Sequence, residues 1–147
     1  MSRKPINVLI FPYFIDKNNK IKFAIFKRAD MKIWQGISGG VECEETLLEA
    51  AQRECYEEAK INKNNQFIQL DSISSIPRYH FNYKWDNNVF VVKENSFGVR
   101  VDNLNLKISS EHAEYKWVGF SDAKNMLKFD SNKNALWELH ERLKGKY

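Results

Sequence analysis

Cysteine is nearly absent from this chain of 147 residues: Cys43 and Cys55 are too few for a disulfide scaffold or a self-contained zinc site, and read as reduced thiols. Only six glycines and three prolines occur, which separates the composition from collagen-like and low-complexity chains. No apolar run reaches the ~18–20 residues that cross a bilayer, and the start from Met1 to Asn7 has no signal-peptide core. A cytoplasmic protein with no membrane partner is expected. A P-loop, a GxGxxG turn and an HExxH pair are missing as well, which removes three common routes to phosphate or zinc chemistry.

What is present suits one globular domain over residues 1–147: 43% of the residues are hydrophobic and 14% aromatic. The net charge of +4 invites a polyanionic partner, but its distribution says more. Between Glu42 and Glu58 lie seven acids (Glu42, Glu44, Glu45, Glu49, Glu54, Glu57, Glu58) against one base, Arg53. That window carries −6 and the remainder +10. The bases outside it are scattered rather than gathered in a stripe, so no nucleic-acid partner is expected.

Alternation and β-prone composition predict strands over Ile6–Ile15 and Ile21–Lys27 around a turn at Asp16–Lys20. Trp34–Glu44, with Gly36, Gly39 and Gly40, reads as a loop. Thr46 followed by Glu49 is a capping-box signature opening a helix from about Leu47 to Lys60. Further strands are expected near 67–75, 76–85, 89–93 and 115–118, with a looser stretch over 95–105. Helices near 121–128 and 132–144 close the chain, the second from the spacing of Ala135, Leu136, Leu139 and Leu143. Strands on both sides of a helix imply an α/β fold, with a mixed sheet covered by helices on its two faces.

On a wheel with Leu47 at zero, Glu54 falls at about −20°, Glu58 at about +20° and Glu57 at about −80°. Three carboxylates thus share an arc beside the apolar stripe of Ala51 and Cys55, facing the body of the protein. Mutual repulsion and partial burial penalise their charges, and a hard divalent cation such as Mg²⁺ supplies compensation through all-oxygen ligation. Arg53 is placed to grip a carboxylate at two points, and reaching Glu45 would tie the glycine segment to the helix.

The run Gly39, five residues, Glu45, seven residues, Arg53-Glu54-Cys55-Tyr56-Glu57-Glu58, two residues, Ile61 resembles the Nudix box. Lys60 stands where the family usually has glycine, and Glu44 where a glycine often precedes the box glutamate. Arg28-Ala29-Asp30, Trp34-Gln35, Ser38–Glu42, Glu111-His112, Tyr115-Lys116-Trp117 and Ser131-Asn132 resemble the dihydroneopterin triphosphate pyrophosphohydrolase branch, while 62–110 matches poorly. The resemblance implies a Nudix-type α/β/α sandwich that uses Mg²⁺, with Mn²⁺ as a substitute. In it Glu57 and Glu58 ligate the metal, and Glu54 ligates it or accepts the proton of the attacking water. The Ser38 carbonyl adds a ligand, Glu111 brings another carboxylate, and Arg53 and Glu45 organise the site.

For the substrate, Arg28 is a candidate phosphate contact, and Trp34, Tyr79, Phe81 and Tyr83 are candidates to stack a planar ring. Alternation over Tyr79–Trp85 would put Tyr79, Phe81, Tyr83 and Trp85 on one face. The expected function is hydrolysis of a nucleoside or pterin triphosphate to the monophosphate and pyrophosphate. Alternatives are a nucleoside-diphosphate-sugar or dinucleotide pyrophosphatase on the same fold, a non-catalytic nucleotide-binding domain, or a basic RNA-binding module.

Overall fold

Alternation along the first strand decides the layering. β1 (Arg3–Ile15) sends Val8 and Ile10 to one face and Leu9, Phe11 and Tyr13 to the other, and all five are buried. β2 (Ile21–Arg28) does the same with Ala24 and Phe26 against Phe23 and Ile25. A sheet apolar on both faces needs a cover on each. On the Val8 face that cover is α1 (Leu47–Ala59), through Ala50, Ala51, Cys55 and Ala59. On the Leu9 face it is α2 (Phe120–Met126) and α3 (Asp130–Leu143), through Ala123, Ala135, Leu136 and Leu139. The expected α/β/α sandwich is what forms; the computed structural model describes residues 2–145, so Met1, Lys146 and Tyr147 of the expected 1–147 domain lie outside the described residues.

β3 (Trp34–Gln35), β4 (Ile37–Glu42), β5 (Phe67–Pro77), β6 (Val91–Arg100) and β7 (His112–Val118) complete a mixed seven-stranded sheet. β1 pairs parallel with β6 along one edge. Along its other edge it pairs with β2 only at Tyr13–Ile15, and from Ile10 back to Arg3 with β4. β2, meanwhile, takes β3 at Phe26–Lys27 and β7 beyond. The two central strands therefore part like a fork, and β3 and β4 fill the wedge with Gly36 at the junction. The segment over 34–44 was expected to be a loop; it is largely strand, because β1 and β2 supply it with ladder partners, and its glycines answer to close neighbours that occupy the space side chains on Gly39 and Gly40 would need.

α1 begins as expected. The Thr46 hydroxyl accepts from the Glu49 N–H at 3.1 Å, and the Glu49 carboxylate accepts from the Thr46 N–H at 2.9 Å, a reciprocal cap of about 1 kcal/mol. The helix ends on Lys60 in the left-handed conformation, φ 57° and ψ 30°. A side chain there costs about 1–2 kcal/mol, and the Lys60 ammonium, 4.8 Å from the centre of the Tyr56 ring, returns part of it.

Two expectations in the middle of the chain are corrected. Of the strand expected over 76–85 only Ile76 and Pro77 form, as the end of β5: the β5–β6 ladder stops at Pro77↔Val91, a 3₁₀ turn spans Arg78–His80, and irregular chain follows. The stretch over 95–105 is not uniformly loose either, since β6 runs on to Arg100, held between β1 and β5.

Candidate active site

Ser38 and Gly39 are consecutive on β4 and serve opposite faces of the sheet. Gly39, opposite Val8, faces α1, and a Cβ there would lie 2.1 Å from Cδ of Glu54. Ser38, opposite Leu9, faces α3, and its hydroxyl accepts from Nδ2 of Asn7 at 2.8 Å. A cleft of about 630 Å³ passes this point, lined among others by Arg3, Arg28, Gly39, Glu54, Phe81 and Glu111.

On the α1 side, Arg53 contacts three carboxylates and the glycine strand. Its Nε donates to Oε2 of Glu45 at 2.5 Å and Nη2 to Oε1 at 2.9 Å, while Nη2 also reaches the Gly40 carbonyl at 2.8 Å. Its Nη1 spans Glu54 at 3.3 Å and Glu57 at 3.1 Å. Arg53 holds the Glu45 carboxyl below the usual carboxylate range. Glu54 goes the other way, to about 7: burial dominates, Arg53 opposes it, and Glu57, Glu58 and Glu111 add repulsion. Glu57 stays half exposed at the helix surface.

The loop before β7 brings Glu111 to this cluster, where its carboxyl hydrogen-bonds Glu58 and is raised first by that contact and then by burial. Burial would raise Glu58 too, but His112, Ser109 and Glu111 together hold it down. The Ser109 hydroxyl donates to Glu58, and Nδ1 of His112 lies 3.5 Å from the same oxygen. Among the described residues no three His, Cys, Asp or Glu side chains converge on one point as a finished metal cage. The donor set nevertheless fits a hard divalent ion: Glu54 and Glu111 line the cleft, Glu57 and Glu58 lie close enough to repel Glu54, and Mg²⁺ is commonly held by one or two carboxylates, waters and substrate phosphates.

The substrate candidates divide. Arg28 borders the cleft, with its guanidinium paired to Asp30 at 2.6 and 2.9 Å. Phe81 lines it. Tyr79, Tyr83 and Trp34 do not. Tyr79 is 79% exposed, stacked on His80. Tyr83 and Trp85 turn back onto the start of β1, where the Tyr83 hydroxyl accepts from the Arg3 N–H at 3.0 Å and the Trp85 indole donates to the Arg3 carbonyl at 2.8 Å. Trp34 packs against the α2–α3 core under Lys116. With no partner strand the segment is irregular, and the four aromatics gather around a depression beside the cleft instead of forming a strand face along it.

Several residues at the site carry no spacing signal. Arg3 places its guanidinium over the rings of Phe81 and Trp85 at 5.3 and 5.6 Å, with one bond to Oδ1 of Asn7 at 3.1 Å. Asn7 is the register partner of both Gly40 and Glu94 and donates to Oε2 of Glu94 at 2.8 Å. Asn132 at the start of α3 accepts from the Gly36 N–H at 2.9 Å. Burial pushes the Glu94 carboxyl up, against hydrogen bonds from Asn7, Ser131 and Ser38. A single polar residue in an apolar stretch, Asn7 between Ile6 and Val8, was the available hint.

With this geometry in view, the comparisons agree. The chain is 30% identical over 134 residues to a dihydroneopterin triphosphate diphosphatase of Haemophilus influenzae, covering 88% of this chain and 84% of that protein. It is 28% identical over 127 residues to an asymmetrical bis(5'-nucleosyl)-tetraphosphatase of Rattus norvegicus, covering 86% and 83%. A crystal structure described as a NUDIX hydrolase from Listeria monocytogenes superposes with a TM-score of 0.87 at 38% identity, over 97% of this chain and 96% of that one. The NUDIX domain model matches residues 5–139, and the carboxylate helix, its arginine clamp and the glycine strand beneath it belong to a member of the Nudix family of hydrolases.

Proposed function

We propose that the protein hydrolyses a nucleoside or pterin triphosphate to the monophosphate and pyrophosphate, with Mg²⁺ or Mn²⁺. The observation that carries this reading is the cleft itself, which joins the carboxylates of α1 and Glu111 at one end to a more enclosed, partly apolar pocket at the other. Such a shape suits a phosphate chain ending in a ring. The likeness to the Haemophilus influenzae protein supports the same class of substrate.

Glu54, Glu57, Glu58 and Glu111 would hold the cation, with the Ser38 carbonyl beside them, and when bound it would neutralise the phosphates and acidify a water. The chain's own residues do the rest. Where Glu54 does not itself ligate the ion, it takes the proton as water attacks phosphorus and the bridging P–O bond breaks. Arg53 keeps that carboxylate aimed past Gly39, and Glu45 fixes Arg53. Arg28 and Arg3 face the phosphate chain from the cleft wall. Two free thiols, exposed Cys43 and buried Cys55, suit the reducing cytoplasm that we propose as its location.

A second reading, a dinucleotide pyrophosphatase, has an observation of its own. A neighbouring depression of about 410 Å³, lined by Tyr79, Phe81, Tyr83 and Trp85, offers aromatic surface for a second base, and the Rattus norvegicus relative bears a dinucleotide's name. Turnover in ¹⁸O-labelled water with mass spectrometry of the products decides. Pyrophosphate and a monophosphate from GTP or dihydroneopterin triphosphate support the first reading. Turnover confined to dinucleotides, orthophosphate release from a triphosphate, or activity on ADP-ribose alone rejects it.

A further inference from the structure

Beyond the carboxylates, the cleft narrows into a pocket of about 190 Å³ on the α3 face, sharing Asn7, Arg28, Gln35, Ser38, His80 and Phe81 with it. That volume is below the roughly 300 Å³ of a site for a whole ligand, so it fits one part of a substrate. Ile76, Phe81 and Phe129 give it apolar walls. At its floor stands a carboxyl group, Glu94, only 5% exposed.

An acid in that position is expensive. Its hydrogen-bonding neighbours, Asn7, Ser38 and Ser131, are all neutral, so no cation repays its desolvation. The Asn7 amide takes Oε2, while the partners Ser38 and Ser131 are hydroxyls that can rotate aside for a stronger donor, so only one of the carboxyl's about four acceptor positions is held by a fixed donor. The amide of Asn132 is engaged at its oxygen by the Gly36 N–H, which leaves its NH₂ end toward Ser131. Gln35 adds a third amide to the lining. The pocket therefore presents acceptors at Glu94 and amide donors nearby, between apolar walls.

We infer that the Glu94 carboxyl reads the hydrogen-bonding edge of the substrate's ring, selecting a fused 2-amino-4-oxopyrimidine, as in guanine or a pterin, over hypoxanthine and adenine. Two adjacent oxygens match the two adjacent donors of that ring, the ring N–H and the 2-amino group. Hypoxanthine has the ring N–H alone. Adenine sets an acceptor nitrogen beside its amino group and meets the carboxylate with one lone pair against another. The amides of Gln35 and Asn132 are donors for the ring's 4-oxo group. Specificity in this picture comes from β6, a strand outside the carboxylate helix, and stacking alone would not provide it.

The inference rests on the proposed reading that ring triphosphates are the substrates, and its test keeps the two apart. With Mg²⁺ present, wild-type kcat/KM should favour GTP over ITP by about 10- to 100-fold, the value of one buried hydrogen-bonding group, and Glu94→Gln should shrink that ratio to about 2- or 3-fold. Independently of turnover, NMR titration of the wild-type protein should show guanosine binding more tightly than inosine or 1-methylguanosine. If no triphosphate is hydrolysed, the proposed function fails, while a guanosine preference that Glu94→Gln removes still upholds Glu94. Equal binding of the three nucleosides by the wild type, or a GTP/ITP ratio untouched in a folded Glu94→Gln protein, overturns the inference.

Discussion

Gly39 and Glu54 share a space that one methyl group would fill, since a Cβ on Gly39 would lie 2.1 to 2.3 Å from all three carboxyl atoms of Glu54. The obstructed atoms are the far end of a flexible side chain rather than backbone. Gly39→Ala should thus cost little stability and much activity. Displacing a reacting carboxylate by about 1 Å is worth about 10²-fold in rate. A melting temperature within a few degrees of wild type alongside a kcat drop of that size is the expected pair. Full activity in Gly39→Ala would mean that Glu54 does not work from this position.

Crowding of Glu54, Glu57, Glu58 and Glu111 should make the protein responsive to divalent cations. An ion bound only to the folded state adds about 2.7 kcal/mol at a hundredfold excess over its Kd. Thermal melts should rise with millimolar Mg²⁺ or Mn²⁺ and respond less in Glu57→Gln. A flat titration in both proteins would remove the metal from the mechanism.

Glu111 and Glu114 form a built-in comparison. Glu111 hydrogen-bonds Glu58 inside the cluster, whereas Glu114 meets Lys27 at 3.7 Å on the outer surface of β7. Glu111→Gln should lower kcat by about 10²-fold or more, and Glu114→Gln should leave it near wild type. Equal effects in steady-state assays would take Glu111 out of the site.

Far from the cleft, Glu138 on α3 accepts from the N–H groups of Asp71 at 2.7 Å and Ser72 at 2.8 Å, where the β5–β6 register shifts, and from Nε of Arg142 at 2.8 Å. Burial acts to raise its carboxyl, but these donors outweigh burial and hold it below the usual range. An acid depressed in the folded state stabilises above its unfolded pKa, and that stability is lost as pH falls through the folded value. Melting temperature should therefore drop below about pH 4.5, less steeply in Glu138→Gln, which starts lower at pH 7. Parallel pH profiles for the two proteins would contradict this.

How much could be read from the chain alone depended on distance. α1, its Thr46–Glu49 cap and the Arg53–Glu45 tie all lie within about twenty residues, so periodicity and spacing encode them directly. The aromatics of 79–85 show the limit of the same reasoning. Their alternation is real, but a strand needs a ladder partner, and β6 begins only at Val91. Tyr83 and Trp85 spend their polar atoms on the backbone of Arg3, some eighty positions away, a choice no local pattern announces. Arg3, Asn7 and Glu94 were overlooked for that reason: they are far apart in sequence, and only strand register reveals that they meet.

Asn7 bonds Ser38, 31 residues on, and Glu94, 87 residues on, through the same amide nitrogen. Closing loops of that length is paid for in chain entropy before the contacts repay it, and it slows folding. The helix bearing the carboxylates is local and can form early, whereas the pocket around Glu94 exists only once β1 has taken both β4 and β6 as neighbours. A newly made chain would therefore acquire its acidic face before it can tell one ring from another, and discrimination would be among the last properties to mature.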